Sequence, residues 1–243
     1  MANTPKNVTK KAGKAADPLK LAGMKAVIDD ACLAAVSNST GPVDPTNYAA
    51  FVKRLKAVQG KFPPVYEQYY VAPYIKTIIN LGQAKLNQVL KRDPKRESDA
   101  GLMLDLGQAI LQHGEGYAKA PTRAVQEFIS DLYDGFLSAE DRRGVKPPDL
   151  GVIPPLAKWG NPDFGPYTWP IDASESFGVD AAVVNMPPAN AEHGLVAWAA
   201  LGHETAGHDI LHADTGLQAE LAEMLRTNLA PLGQGLADYW ADR

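Results

Sequence analysis

Cysteine is nearly missing from this chain. Cys32 stands alone among 243 residues, so there is no disulfide framework and no thiolate cluster to hold a metal. Long apolar runs are missing too, since none approaches the roughly 20 residues a helix needs to cross a bilayer. Neither sign of charge dominates. With 24 Lys and Arg against 28 Asp and Glu, the net charge of −4 gives no electrostatic argument for nucleic acid or an anionic membrane surface. The first sixteen residues carry Lys6, Lys10, Lys11 and Lys14 but neither an acid nor the apolar stretch of a secretory leader. Residues 1–16 are therefore expected to form a disordered basic tail, and the protein to be cytoplasmic, with no membrane span. Histidine is scarce as well, at five residues, and its distribution is uneven.

Residues 17–140 read as a helical domain. Leu21, Met24, Val27, Ile28, Ala31 and Val36 recur at three- and four-residue intervals behind Pro18, and Tyr48, Phe51, Val52 and Leu55 line one side of a second helix from about Pro45 to Gln59. Tyr66, Tyr69, Tyr70 and Tyr74 follow at a spacing that favours packing over a recognition surface. Further helices are expected through Ile75 to Leu90, over Ala100 to Leu111, and from about Thr122 to Leu137. His113, between Gln112 and Gly114, is read as an exposed loop histidine.

The composition changes at about Asp141. Nine prolines between Gly144 and Pro188 exclude long regular helices there. Short strands remain, of which Val179 to Met186 is the best and Tyr167 to Ile171 a second. The expected fold is thus mainly α: a helical N-terminal part, then a Pro/Gly-rich segment, residues 141–243, with a few short strands packed on a long buried site helix that starts at the N-cap Asn190.

Four of the five histidines, His193, His203, His208 and His212, fall within twenty residues of that helix. Imidazole is a common ligand for zinc and related metals, and a carboxylate beside it can take the proton of a metal-activated water. Spacing decides which residues could share a metal. In a regular α-helix His203 and His208 point about 140° apart, whereas Glu204, His208 and His212 step by four along one face. One arrangement therefore has a π-bulge near Ala206-Gly207 that turns His203 and His208 onto a single ion; the other has a regular helix with Glu204, His208 and His212 as ligands. Gly207 favours the bulge, because glycine tolerates distortion and costs about 1 kcal/mol in a regular helix interior. His193, about 15 Å away along a helix, lies outside either set.

The string His203-Glu204-Thr205-Ala206-Gly207-His208 resembles the HExxGH motif of the dipeptidyl peptidase III family of zinc peptidases, a zincin signature with one residue inserted. That resemblance implies a Zn²⁺ bound by His203 and His208, Glu204 as catalytic general base, and a peptide or protein substrate. It also implies an edge strand to align the substrate, for which Val179 to Met186 is the candidate. The family's acidic third ligand has no matching motif here. His212 is the nearest candidate, with Glu220, Glu223, Asp238 and Asp242 beyond it. Because Leu236 to Arg243 reads as an amphipathic helix without a stop signal, a second chain or a C-terminal continuation is expected to supply what is missing. Two other readings compete. Lipoxygenases are similar in pairing histidines five residues apart, which would make this a non-haem iron oxygenase; a structural or assembly protein with a non-catalytic metal site is the third.

Overall fold

The computed structural model describes residues 18–137, 153–212 and 215–242; the predicted basic tail at 1–16 and the whole 141–152 stretch lie outside the described residues. The chain is mainly helical, as expected, with one small sheet. Helices α1 (Pro18–Ala35), α2 (Tyr48–Val58) and α3 (Pro64–Tyr66) lead through a π-turn at Glu67–Val71 into α4 (Ala72–Arg92), followed by α5 (Asp99–Glu115) and α6 (Lys119–Leu137). Strands β1 (Leu156–Trp159) and β2 (Tyr167–Trp169), helix α7 (Ile171–Ser174) and strand β3 (Val183–Met186) come next. Helix α8 (Ala200–Thr205) runs into a second π-turn, Ala206–Ile210, before α9 (Leu217–Leu229) and α10 (Gln234–Ala241).

The sheet has the order β1-β3-β2, with β1 parallel and β2 antiparallel to β3. It separates two cores. Alternate residues of each strand face opposite ways, so Leu156 and Val183 join the cluster built by α2, α4 and α5, while Ala157, Trp159, Val184 and Met186 join Val125 and Ile129 of α6 and Leu201 of α8. Two faces buried at once explain why β3 reads as an unbroken Val-Val-Asn-Met without polar alternation.

The central helix is α5. Every residue from Ala100 to Gln112 is buried, as expected where a helix is apolar on nearly all sides. Its glycines permit close packing: a Cβ on Gly107 would lie 2.4 Å from Phe51 Cζ and 2.8 Å from the Tyr74 hydroxyl. Tyr70 and Tyr74 are fully buried, and the Tyr74 hydroxyl donates to the Met103 carbonyl. The tyrosine-rich segment is thus chiefly packing. Helix α5 also runs further than its apolar pattern suggests. His113 is not in a loop but in the last turn, half-buried, with Nε2 donating to the Ala157 carbonyl at 2.8 Å.

That bond belongs to a cover over the outer edge of β1. The Gln112 side chain accepts from Trp159 N–H at 2.8 Å and donates to its carbonyl at 2.9 Å, and Gln126 does the same for Ala157 N–H at 3.0 Å and Pro155 C=O at 2.9 Å. Side-chain amides thus occupy the donors and acceptors that an edge strand would otherwise present to another chain. The periphery is different. On α1, Leu21, Met24, Val27 and Ile28 are exposed; its polar anchor is Asp30, which accepts from Gly194 N–H at 2.8 Å and Leu195 N–H at 3.0 Å.

Candidate metal centre

The long site helix expected from Asn190 is in fact three pieces. Pro188–Ala191 and Leu195–Ala199 are 3₁₀ turns, separated at Gly194, which has φ of 71°. A residue in that left-handed region cannot continue a helix, and glycine adopts it without penalty. Leu195 and Val196, expected inside, are exposed at 64% and 55%. α8 and the π-turn that follows pack on the sheet. The long, buried site helix is therefore replaced by a short helix with one buried face.

The π-turn forms where Gly207 suggested it. Leu211 N–H donates to the Ala206 carbonyl, five residues back, at 3.3 Å, and the Thr205 hydroxyl turns back onto the Leu201 carbonyl at 2.7 Å. One additional residue in the turn brings a five-residue step back to the same face. His203 Nε2 and His208 Nε2 consequently lie 3.0 Å apart, with their rings perpendicular. Gly207 lies beside the His203 ring; a Cβ there would stand 3.4 Å from His203 Nδ1, an ordinary van der Waals contact.

A carboxylate oxygen of Glu204 completes the group: ligand atoms of His203, Glu204 and His208 lie within 4.8 Å of one another. Both imidazoles are exposed, while Glu204 is 6% exposed. Its Oε2 accepts from the Thr168 hydroxyl at 2.9 Å, and that hydroxyl also stands 3.1 Å from the Glu204 carbonyl. Thr168 lies in the middle of β2, so the sheet edge holds the carboxylate. On the inward side, Asp209 is buried and accepts the Ile171 N–H at 3.0 Å, which fixes the start of α7 to the π-turn. Burial pushes its carboxyl up to about 7, the Ile171 bond pulling the other way.

Two nitrogens each about 2.0–2.1 Å from one tetrahedral zinc stand roughly 3.3 Å apart. The 3.0 Å between the two Nε2 atoms is close to that. With no ion between them the same contact is an imidazole–imidazole hydrogen bond, one ring donating and the other accepting. The donor set of two imidazoles and one carboxylate suits a borderline divalent metal.

His212, the expected third ligand, is not brought to the pair. Four residues past His208, it has advanced about one turn along the axis; its Nδ1 lies 3.2 Å from Asp172 Oδ2 and its Nε2 3.3 Å from Gln218 Nε2. His212 is thus held between Asp172 and Gln218, away from the pair. Glu220 and Glu223 lie on the exposed side of α9, and Asp238 and Asp242 face Arg226 at 3.8 and 2.7 Å. His193 stays apart, 3.6 Å from Asp30. Val179 to Met186 is not an edge: β3 is the middle strand, and the edge beside the site is β2.

Thr168 and Asp209 had no sequence signal. Each acts across 36 or more residues of chain, and a lone threonine or aspartate is compatible with many roles. No family model, curated protein or solved structure matches this chain.

Proposed function

We propose that this protein is a zinc-dependent peptidase in which His203 and His208 hold the metal and Glu204 is the general base. The π-turn carries the reading, because nothing else would bring two histidines five residues apart onto one face of the helix with a carboxylate beside them. Bound there, zinc would polarise a scissile carbonyl and lower the pKa of a coordinated water to about 7. The chain's own groups would do the rest. Glu204, fixed by Thr168, accepts the proton from that water and returns it to the leaving amine. The open imidazole face admits the substrate, and β2 offers an edge along which an extended peptide can lie. His212 meets Asp172 instead of serving as a ligand.

The test is Glu204→Gln, read twice. Zinc content by elemental analysis should be unchanged while hydrolysis of an unstructured protein such as casein falls at least about 10²-fold, the range of a general base. Loss of zinc would make Glu204 a ligand instead. Unchanged hydrolysis would remove the mechanism, and iron in place of zinc would favour the oxygenase reading.

A further inference from the structure

Two apolar helix faces of this chain lie outside both cores. Residues 20–29 of α1 are exposed throughout, and Leu21, Met24, Val27 and Ile28 recur there at helical spacing, with Met24 and Ile28 exposed at 61% and 58%. Lys20, Gly23, Met24, Val27 and Ile28 border a shallow apolar hollow, and a Cβ on Gly23 would meet nothing within 4 Å. The helix is anchored further along, where Asp30 accepts from Gly194 and Leu195. Near the C-terminal end of the chain, α9 and α10 pack chiefly on each other. Arg226 joins them, 3.8 Å from Asp238 and 2.7 Å from Asp242. Leu221, Met224 and Leu225 on α9 and Leu236 and Trp240 on α10, again at helical spacing, stay exposed. Among the described residues, neither core cluster holds a side chain of α1, α9 or α10.

Helices in proteins owe most of their stability to packing of an apolar face, and contiguous exposed apolar faces mark interaction surfaces. The charges that accompany these two faces indicate what covers them. From the first residue to the end of α1, residues 1–35 hold six lysines against three acids, Asp17, Asp29 and Asp30, a net +3. Residues 217–242 hold Glu220, Glu223, Asp238 and Asp242 against Arg226 alone, a net −3. A basic stretch with an apolar helix and an acidic, apolar pair of helices are thus complementary. Within one copy they do not pack on each other.

We propose that the two faces meet between copies of the chain, α1 of one copy packing its apolar side on α9 and α10 of a second. A closed pair with two-fold symmetry contains this contact twice. The opposite charges steer the encounter and select the partner, while the apolar side chains form the buried centre of the interface. An anionic membrane is the other surface that takes a basic, apolar helix, but it leaves the acidic pair uncovered. The association is independent of the proposed peptidase chemistry, since neither face includes His203, Glu204 or His208.

Size exclusion with light scattering tests it on the full chain, under reducing conditions because Cys32 is exposed. At high micromolar concentration the parent should have the mass of two chains, and the association should weaken as salt is raised. Met24→Glu with Ile28→Glu removes the first face, and Leu225→Lys with Trp240→Lys removes the second. Each double variant should self-associate at least about tenfold more weakly than the parent. All these positions are exposed, so both variants should keep the fold, which circular dichroism checks. An equimolar mixture of the two should recover a mixed pair, because each retains the face that the other lacks. A parent that is monomeric at every concentration, an α9–α10 variant that still dimerises, or a mixture that stays monomeric would overturn the proposal. So would a monomeric parent that sediments with phosphatidylserine vesicles, which would make α1 a membrane contact.

Discussion

Deleting Ala206 would turn the His203–His208 step from five residues to four. In a regular α-helix a four-residue step separates side chains by about 40°, against about 140° for five, so the widened turn is no longer needed to bring the rings together. Ala206 is exposed and supplies the extra residue of the π-turn. Its removal should therefore let Leu201, Glu204 and Thr205 on one side and Asp209 and Ile210 on the other keep their buried directions. On the proposed function, the expected result is a folded protein that binds zinc with affinity within about tenfold of the parent. His203→Ala is the contrast. Four-ligand structural zinc sites are worth about 10–16 kcal/mol, or about 3 kcal/mol per ligand, so losing one imidazole should weaken binding on the order of 10²-fold. Competition against a chromogenic zinc chelator measures both. If the Ala206 deletion lost zinc as completely as His203→Ala while remaining folded by circular dichroism, the claim that the π-turn exists to align this pair would be wrong.

Thr168→Val removes the hydroxyl 2.9 Å from Glu204 Oε2 at nearly constant volume; it should cost about 1–3 kcal/mol in urea unfolding and, on the proposed mechanism, lower kcat while leaving zinc content intact. A kcat equal to the parent's would show that the contact does not position the base. Burial lowers the His113 pKa below its ordinary 6.5, so the unfolded chain protonates first as pH falls. Stability present above about pH 6.5 should then decline on acidification, and the difference between unfolding free energies at pH 5.5 and 7.5 should shrink in His113→Gln. An unaltered difference would exclude this histidine as the cause. Gly107→Ala would drive a methyl into Phe51 and the Tyr74 hydroxyl, and overpacking of that kind should cost about 1–3 kcal/mol in the same assay.

What the sequence makes legible depends on the range of the interactions involved. The helical positions of Phe51 and Leu55 and the burial of Tyr70 and Tyr74 follow from local periodicity, and the structure has them in the core. Leu21, Met24 and Val27 have the same periodicity but remain exposed on α1, because periodicity shows that a face is apolar and says nothing about what covers it. Local pattern does not rank the helices either. The histidine-bearing segment looked central, yet α5 is the one buried throughout; Gly194, with a left-handed φ that only the folded chain reveals, breaks the other.

By itself the sequence determined the mainly helical class, the proline-rich change of character after residue 141, and the two alternatives for His203, Glu204, His208 and His212, since these depend on residue type and on spacing along a single turn. Only the tertiary structure decided between the alternatives. Packing of Leu201 and Glu204 against the sheet and the bond from Ile171 to Asp209 hold α8 and Ile210 in one orientation, and the additional residue is taken up as a π-turn that joins His203 to His208 and leaves His212 with Asp172. The strand order was likewise beyond local reading. Whether Val183–Met186 is an edge or a centre depends on which segments hydrogen-bond to it, and those partners lie up to about 30 residues away in the chain.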